Sequence, residues 1–333
     1  MKIVFLWQWE NSLDVIARFD EGIGEIWRLF AKDGHDVTIT TYGGPVSGID
    51  HDINFLLVPR ETPFPKWVSK VKDLCPDVIY CWGSIDHKIA KFCKELMPEV
   101  PLLFFLAGGG VDHPYTSLYD HFFVETKFHK RDLNDHGKPA TEALGVMVDQ
   151  LVIKPNQPKL WDVFLPASFT SNKRYSLFAD VVEIGHLRGV AVGPKNDEGC
   201  LIECEKVGIP TFGYMTRSSL CDFYNASSVT VLTGGAWGGS QRTLLESLAC
   251  GTPVVACEDN FQLDFFSHAD SPVVFCPPQP EFILDAVKRV IASPPKPKML
   301  RDYVLSRFTA HHYYDLVKQE TERILFERTV SNV

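Results

Sequence analysis

The sequence lacks any apolar run approaching the roughly 20 residues that a membrane-spanning helix needs. Its start, residues 1–7, is apolar enough to begin a signal peptide. However, the apolar stretch stops at Gln8 and no small-residue cleavage site follows. We therefore expect no transmembrane segment, and we expect the first residues to form a buried strand.

Four catalytic motifs are also missing. There is no Gly-x-Ser-x-Gly elbow, no Walker-type phosphate loop and no His-Glu-x-x-His pair. Hydrolysis by a serine triad, Walker-type phosphoryl transfer and zinc proteolysis are therefore without support. No Gly-x-Gly-x-x-Gly follows the first strand, which weakens the case for a dinucleotide oxidoreductase.

Basic residues are in the minority, with 33 Lys and Arg against 42 Asp and Glu and a net charge of −9. This balance leaves no broad positive field for nucleic acid or an anionic membrane. A nucleic-acid partner is therefore disfavoured. The local cluster Lys127, His129, Lys130 and Arg131 is more typical of a solvated helix face.

The nine cysteines are odd in number and lack a repeating framework, which favours free thiols in a reducing compartment and predicts a cytoplasmic protein. Cys200 and Cys204 lie four residues apart. No second Cys or His pair stands nearby to complete four ligands, so we expect neither a metal site nor a required cofactor.

The fold class follows from the alternation of short apolar runs with amphipathic stretches. This pattern is typical of βα units around parallel sheets that are buried on both faces. A length of 333 residues favours two such domains. We predict strands at 2–7, 36–41, 53–58, 77–81, 102–106 and 121–124 in the first, and at 162–165, 189–192, 210–214, 229–233, 253–257 and 273–275 in the second.

Proline-rich segments set the predicted boundaries. The run from Val152 to Pro158 interrupts the pattern before a fresh strand, and Pro294-Pro-Lys-Pro297 precedes a last helical stretch. We therefore predict an N-terminal Rossmann-like domain at 1–157 and a second Rossmann-like domain at 158–298. Residues 299–333 should form a helical segment, over about 299–326, that packs back on the first domain.

The most informative segment, residues 229–256, reads as a strand, a glycine-rich loop, a helix, a glycine stop and another strand. Glycines at 234, 235, 238 and 239 permit close backbone approach, and a helix that starts near Ser240 directs free N–H groups and its positive dipole end into the loop. The pattern predicts a diphosphate site. Glu246 should project from the same edge of the sheet, where a carboxylate can bind both ribose hydroxyls.

The run Thr243-Leu-Leu-Glu-Ser-Leu-Ala-Cys-Gly-Thr-Pro-Val-Val-Ala256 resembles the donor-site signature of glycosyltransferase family 4 and related GT-B enzymes. The usual form there is a glutamate, seven residues, then Glu-Ala-Met-Ala-Cys-Gly-Thr-Pro-Val-Val. The resemblance extends over about residues 162–291. It implies two Rossmann-like domains with parallel sheets that face a cleft, and transfer of a sugar from a nucleoside-diphosphate sugar.

The same resemblance suggests which residues bind the donor. It places Lys173, with Arg174, at the diphosphate, and it places Gly193 and Arg217 near the nucleotide base, with the 238–242 loop amides completing the site. The expected donor is a UDP- or GDP-linked sugar and the acceptor is a carbohydrate or other hydroxyl compound. The full set of predicted donor-binding residues is Lys173, Arg174, Gly193, Arg217, Gly238, Gly239, Ser240, Gln241, Arg242, Thr243 and Glu246.

One departure from the signature stands at Gly238, where the family has its first glutamate. In the family that glutamate lies beside the transferred sugar. Its absence implies a different sugar, a replacement such as Glu258 or Asp259, or a weakened catalyst. Retention of configuration is an expectation that the resemblance carries.

The first domain matches less densely, although Ala31-Lys-Asp-Gly-His-Asp-Val-Thr38 is similar to the family's first helix, turn and second strand. The family often has a histidine after the fifth strand that faces the donor sugar, and here His113 occupies that loop beside Asp112. Glu10 follows the first strand, at the sheet edge where ligands bind. We predict His113, Glu10 and Asp112 as catalytic candidates, although a histidine before a proline is also a common turn residue.

Glycosyl transfer is the function that these observations favour. Two alternatives stay open. A GT-B-like epimerase would interconvert a nucleotide sugar without an acceptor, and a protein that has lost turnover would bind a nucleotide sugar without transferring or hydrolysing it.

Overall fold

The computed structural model describes residues 1–11, 15, 22–43, 52–83, 85, 87–106 and 108–331. The chain divides into two compact units. The first consists of Met1–Gly145 with Ala310–Val333, and the second of Val146–Thr309. Both units are α/β and each contains one parallel sheet, which confirms the predicted fold class.

In the first unit, the described residues form a seven-stranded sheet in the order β3-β2-β1-β4-β5-β6-β7, with every neighbouring pair parallel. The strands are β1 (Lys2–Asn11), β2 (Asp36–Tyr42), β3 (Ile53–Val58), β4 (Val78–Gly83), β5 (Leu102–Leu106), β6 (His121–Val124) and β7 (Ala140–Glu142). The helices are α1 (Gly22–Lys32), α2 (Phe64–Asp73), α3 (Ile89–Leu96), α4 (Lys127–Asp135) and, from the end of the chain, the helix Ala310–Ser331.

This sheet is buried on both faces because its strands are apolar at successive positions rather than at alternate ones. Phe5 packs on one face, where it stacks on Tyr80 at a centroid distance of 4.8 Å. Val4 and Leu6 pack on the opposite face. The near-continuous apolar run at the start of the chain therefore predicted a buried strand correctly.

In the second unit, the described residues form a six-stranded parallel sheet in the order β10-β9-β8-β11-β12-β13. The strands are β8 (Trp161–Pro166), β9 (Gly189–Val192), β10 (Thr211–Phe212), β11 (Ser227–Leu232), β12 (Val254–Cys257) and β13 (Val274–Cys276). The helices are α5 (Tyr175–Gly185), α6 (Glu198–Lys206), α7 (Arg217–Ala226), α8 (Gln241–Ala249), α9 (Pro280–Ala292) and α10 (Pro297–Leu305).

The end of the chain differs from the single helical segment that the sequence suggested. It forms two helices, α10 and the Ala310–Ser331 helix, now α11. The break lies at Phe308, which is buried and whose carbonyl accepts a hydrogen bond of 2.9 Å from the Val146 N–H. The helical pattern continues through this break in the sequence, but the backbone of residues 307–309 is committed to a β-bridge between Val146 and Thr309.

The terminal helix α11 packs within the first unit. Tyr314 lies edge-on to Phe30 with ring centroids 4.9 Å apart, and Tyr80 and Thr321 share a hydrogen bond of 2.5 Å between their hydroxyls. Lys318 donates to Asp33 at 2.6 Å. These contacts hold both halves of the helix to α1 and the sheet.

The unit limits also fall at positions other than 157/158 and 298/299. Residues 146–157 pack with the second unit, where Asn225 accepts from the Lys154 N–H at 2.7 Å and donates to the Val152 carbonyl at 2.9 Å. Helix α10 joins the same unit because Arg301 donates to the Ala249 carbonyl at 2.6 Å. The proline-rich stretches are thus surface segments of the second unit.

Several further features concern the described residues as a whole. None of their helices is long and apolar enough to cross a membrane. They contain no group of three or more His, Cys, Asp or Glu side chains arranged to hold a metal ion. All nine cysteines are unpaired, and Cys75 is the exposed one.

Candidate active site

The candidate site of the second unit lies where the strand order reverses. Strands β8 and β11 are neighbours at the centre of the sheet, and the connections from them run in opposite directions. Ligands in open α/β sheets bind at the carboxyl ends of such a strand pair. The loop after β8 carries Lys173 and Arg174, and the loop after β11 carries the glycine-rich segment, so both predicted loops meet at this point.

The glycine-rich loop is closely packed at Gly235 and Gly238. A Cβ atom on Gly238 would lie 2.6 Å from the Gly234 Cα, and one on Gly235 would lie 2.5 Å from a guanidinium nitrogen of Arg174. Gly239 has a φ of +59°, a region that favours glycine. The contacts at Gly238 are with backbone atoms, so the loop conformation excludes the family's glutamate from position 238.

Helix α8 begins immediately after this loop. Ser240, at its N-cap, has a φ of +79° and its side chain makes no capping hydrogen bond. The next three residues are the buried Gln241 and the half-buried Arg242 and Thr243. A helix start without a side-chain cap directs backbone N–H groups and the positive dipole end outward, which is the usual setting for a phosphate.

Lys173 links the two loops. Its ammonium donates to the Gly238 carbonyl and, at 3.0 Å, to the Ser240 hydroxyl. The Lys173 carbonyl in turn accepts from the Thr233 hydroxyl at 2.7 Å. Burial lowers the pKa of Lys173 to about 8, because desolvation disfavours the charged form. Lys173 therefore lies at the α8 N-terminus with its positive charge poorly compensated.

Arg174 is held by a different partner. Its guanidinium donates to both carboxylate oxygens of Asp259, at 3.0 and 2.6 Å. Arg174 itself adopts a left-handed conformation, with a φ of +51°, at the start of α5. This bidentate geometry raises the pKa of Arg174 and occupies one side of its fork. Asp259, named above as a replacement for the missing glutamate, is thus engaged by Arg174, whereas Glu258 is exposed.

A cavity of about 180 Å³ opens beside these loops. It is lined by residues 166–168 and 192–194 and by Tyr214, Met215, Leu220, Tyr224, Thr243 and Glu246. Gly193 is required here because a Cβ on it would lie 2.0 Å from the Ala167 carbonyl oxygen. The walls are mostly apolar, and Tyr214 is an exposed aromatic ring at the cavity. Such a pocket suits a flat ring with a polar group at one end.

Glu246 supplies the polar group. One carboxylate oxygen accepts from the Arg217 Nε at 3.4 Å, and the other accepts from the Tyr224 hydroxyl at 3.1 Å. Burial raises the pKa of Glu246, and both the Arg217 charge and the Tyr224 hydrogen bond oppose that increase. Arg217 also donates to the Met147 sulphur at 3.3 Å. Its side chain contacts Glu246, so the structure gives it a partner other than a base.

The catalytic candidates lie in the first unit. The Nδ1 of His113 accepts from the Tyr115 N–H at 3.2 Å, and the two rings lie 5.0 Å apart. His113 is half-buried and Asp112 is exposed. The histidine therefore stabilises its own turn. Glu10 belongs to β1, but its side chain lies outside the residues whose side chains the structure describes. All three stay predictions.

Three residues of the candidate site were not predicted from the sequence. Tyr224 contacts Glu246, while Asn260 and Gln262 hold the Gly239 peptide: Asn260 donates to its carbonyl at 3.1 Å and Gln262 accepts from its N–H. Asn260 and Gln262 are buried polar residues that follow β12. Polar side chains directly after a buried strand were the signal in the sequence. The sequence signal for Tyr224 was weaker: it lies seven residues from Arg217 and hence on the same face of α7.

Residues 169–307 match the family model described as glycosyl transferases group 1. No curated protein matches the sequence significantly.

Three solved structures are similar over nearly the whole chain. Sucrose-phosphate synthase from Thermosynechococcus elongatus is 15% identical with a TM-score of 0.76, and the match covers 98% of this chain and 100% of that one. HepE from Anabaena, in complex with UDP, is 13% identical with a TM-score of 0.74, and the match covers 97% and 100%. A glycosyltransferase from Rickettsia africae is 14% identical with a TM-score of 0.76, and the match covers 97% and 99%.

At such low identity the solved structures establish the fold, whereas the family match falls on the segment that contains the glycine-rich loop, Lys173 and Glu246. Residues 169–307 thus resemble a glycosyl transferases group 1 domain, and the chain has the GT-B fold of these solved structures.

Proposed function

We propose that the protein transfers a sugar from a UDP- or GDP-linked donor to an acceptor hydroxyl, with retention of configuration. The second unit would bind the nucleoside diphosphate and the first would supply acceptor contacts. The observation that supports this proposal most strongly is the convergence of three features at the β8–β11 edge: Lys173, the α8 N-terminus and the Glu246 cavity.

Three groups of residues in the site suit the three parts of a nucleoside diphosphate. The apolar cavity walls and Tyr214 suit the base, and Glu246 suits the ribose, because a carboxylate accepts hydrogen bonds from two neighbouring hydroxyls. The α8 amides and the ammonium of Lys173 suit the diphosphate. The cavity beside Glu246 has a volume of about 180 Å³, and the charged groups lie along the next loop.

Catalysis would come mainly from stabilising the departing nucleoside diphosphate. Negative charge grows on the leaving phosphate, and fixed donors aimed at that charge lower the barrier. Lys173 provides a full charge and the α8 start provides oriented dipoles. Because these groups are positive without a metal ion, we propose that no metal cofactor is required.

The names of similar structures support the choice of donor. HepE from Anabaena is described in complexes with UDP, with UDP and glucose, and with UDP-glucose. For this chain the base and the sugar stay proposals. The nine unpaired cysteines agree with a reducing compartment, and we propose the cytoplasm.

A thermal-shift titration tests donor binding directly. UDP, GDP and other nucleoside diphosphates would be added to the wild type, to Glu246→Ala and to Glu183→Ala, which removes an exposed carboxylate from the same unit. A ligand at 100 times its Kd stabilises the folded state by about 2.7 kcal/mol. We expect one nucleotide to shift the wild type and Glu183→Ala but not Glu246→Ala. No shift with any nucleotide would contradict the donor site.

A second function has a specific observation in its favour. Gly238 replaces the family's glutamate, and the loop has no space for a side chain there. A protein that binds a nucleotide sugar without turnover would account for both facts. Release of nucleoside diphosphate from the matching sugar donor, with and without acceptors, separates the two functions, since a pure binding protein releases none. Interconversion of the donor sugar without an acceptor would instead indicate an epimerase.

A further inference from the structure

Arg217 and Glu246 form a largely buried ion pair. Their side chains are 9% and 13% exposed, whereas in the ion pair between Arg188 and Asp162 in the same unit the arginine is 58% exposed. Removing two charges from water is costly and is offset only by good mutual geometry. The arginine also donates to a thioether sulphur, a weak acceptor, so its burial is poorly compensated apart from Glu246.

Both charges lie at helix ends that disfavour them. Arg217 is the first residue of α7, where the helix dipole is positive, and Glu246 lies in the last turn of α8, where it is negative. Charges at the wrong helix end destabilise the helix. Neither residue therefore stabilises its own helix through the helix dipole. Their positions instead bring the two side chains into contact with each other.

The pair also leaves Glu246 with spare capacity. A carboxylate can accept about four hydrogen bonds. Arg217 uses one on the first oxygen and Tyr224 uses one on the second. Glu246 and Tyr224 both line the cavity, and Arg217 does not. Residues of α7 thus hold the carboxylate in place, and its remaining acceptor positions are available to a ligand in the cavity.

Helices α7 and α8 contact each other again one turn farther along. Cys221 is four residues after Arg217, Cys250 is four residues after Glu246, and their sulphur atoms are 3.6 Å apart. Two successive contacts set the register of the helices, so the position of Arg217 relative to Glu246 is determined by packing and does not depend on the ion pair alone.

We propose that Arg217 is a positioning residue, which holds the Glu246 carboxylate in its charged form and in the orientation that binds the ribose hydroxyls of the donor. This inference rests on the proposed donor site. It replaces the expectation that Arg217 contacts the base with a role that acts through Glu246.

The proposal has a consequence for pH. The charged and titratable groups that face Glu246 are Arg217 and Tyr224 from α7, Arg242 from α8 and Cys250, the residue that follows α8. Among them, Arg217 is the cation in direct contact. Without it, burial raises the pKa of Glu246 further, so the carboxylate becomes protonated at a higher pH. Ribose recognition should then be lost at a higher pH than in the wild type.

The test compares UDP with 2′-deoxy-UDP, or GDP with 2′-deoxy-GDP, by calorimetric titration between pH 5 and 9. The deoxy forms lack one ribose hydroxyl and otherwise keep the phosphates and base. We expect the wild type to prefer the ribose form by about tenfold. In Arg217→Gln that preference should fall below about threefold near neutral pH, and its loss on acidification should begin at least about one pH unit higher.

Two controls and a rescue separate this role from a structural one. Met147→Leu removes the sulphur acceptor and Arg188→Gln removes an exposed arginine, and both should keep the wild-type preference and pH profile. Arg217→Lys, which retains the charge, should recover part of the preference. If Arg217→Gln does not fold, Arg217→Met offers an apolar side chain of similar length for the same measurement.

The outcomes are distinct. A folded, uncharged variant at 217 with unchanged ribose preference and pH profile overturns the inference and leaves the donor site intact. A wild type that binds neither nucleotide overturns the proposed function, and the inference with it. Loss of UDP and 2′-deoxy-UDP affinity in equal proportion would show a general structural role and would also overturn the inference.

Discussion

Replacing Gly238 by alanine tests whether the glycine-rich loop can accept any side chain at the family's glutamate position. The backbone of Gly238 is not in the left-handed region, so alanine meets no conformational penalty there. The obstacle is steric, since the new Cβ would lie 2.6 Å from the Gly234 Cα and 2.7 Å from its carbonyl carbon. Both atoms are backbone and cannot rotate away, so the loop itself has to move.

The expected cost follows from that displacement. Overpacking of a close contact costs about 1–3 kcal/mol. For a unit of this size that lowers the Tm by roughly 2–12 °C. Gly213→Ala is the matched control, because a Cβ there has no atom within 4 Å and its φ is also outside the left-handed region. We expect it to be neutral or slightly stabilising, by up to about 1 kcal/mol.

Urea unfolding and UDP titration of both variants provide the measurement. Because Lys173 donates to the Gly238 carbonyl, displacement of the loop should also weaken diphosphate binding in Gly238→Ala and leave Gly213→Ala unchanged. If Gly238→Ala unfolds and binds UDP as Gly213→Ala does, the loop accommodates a side chain. The argument that its conformation excludes a glutamate would then be wrong.

Two further predictions concern the cations of the site. UDP affinity should decline above about pH 8, because the pKa of Lys173 is about 8 and only the ammonium form attracts phosphate. Lys173→Arg should flatten this decline in a titration from pH 7 to 10, and an equal decline in both proteins would contradict the assignment. Asp259→Asn should tighten UDP binding by about two- to fivefold, since it leaves the Arg174 charge uncompensated. Weaker binding would instead mean that the ion pair as a unit shapes the site.

The fold could be predicted from the sequence because parallel strands buried on both faces have a strong local signal. The predicted strands at 53–58, 102–106, 121–124 and 189–192 coincide with the observed ones. Strand β7 was missed, because Ala140–Glu142 is short and half-buried. Strand β10 spans only Thr211–Phe212, which is shorter than the predicted strand at 210–214. The break between α10 and α11 was missed because a long-range bridge, between Val146 and Thr309, causes it.

The candidate site could be predicted only in part. Glycines, a helix start and a glutamate at fixed spacing place Gly239, Ser240 and Glu246 on one edge by local geometry alone. Contacts between segments that are distant in the sequence produce no such local pattern. The contact between Arg217 and Glu246 spans 29 residues and that between Arg174 and Asp259 spans 85, so neither charge pairing could be read from the pattern.

These pairings change how the missing glutamate should be understood. A substitution at position 238 alone suggests a catalyst that lost one group. In the structure, however, the backbone of the loop around Gly238 is held by the side chains of Lys173, Asn260 and Gln262. Three side chains that bond to loop backbone indicate a conformation built around glycine. The proposed donor site is therefore organised for a ligand that meets the loop's backbone, and we expect its specificity for the transferred sugar to come from groups other than an acidic residue at 238.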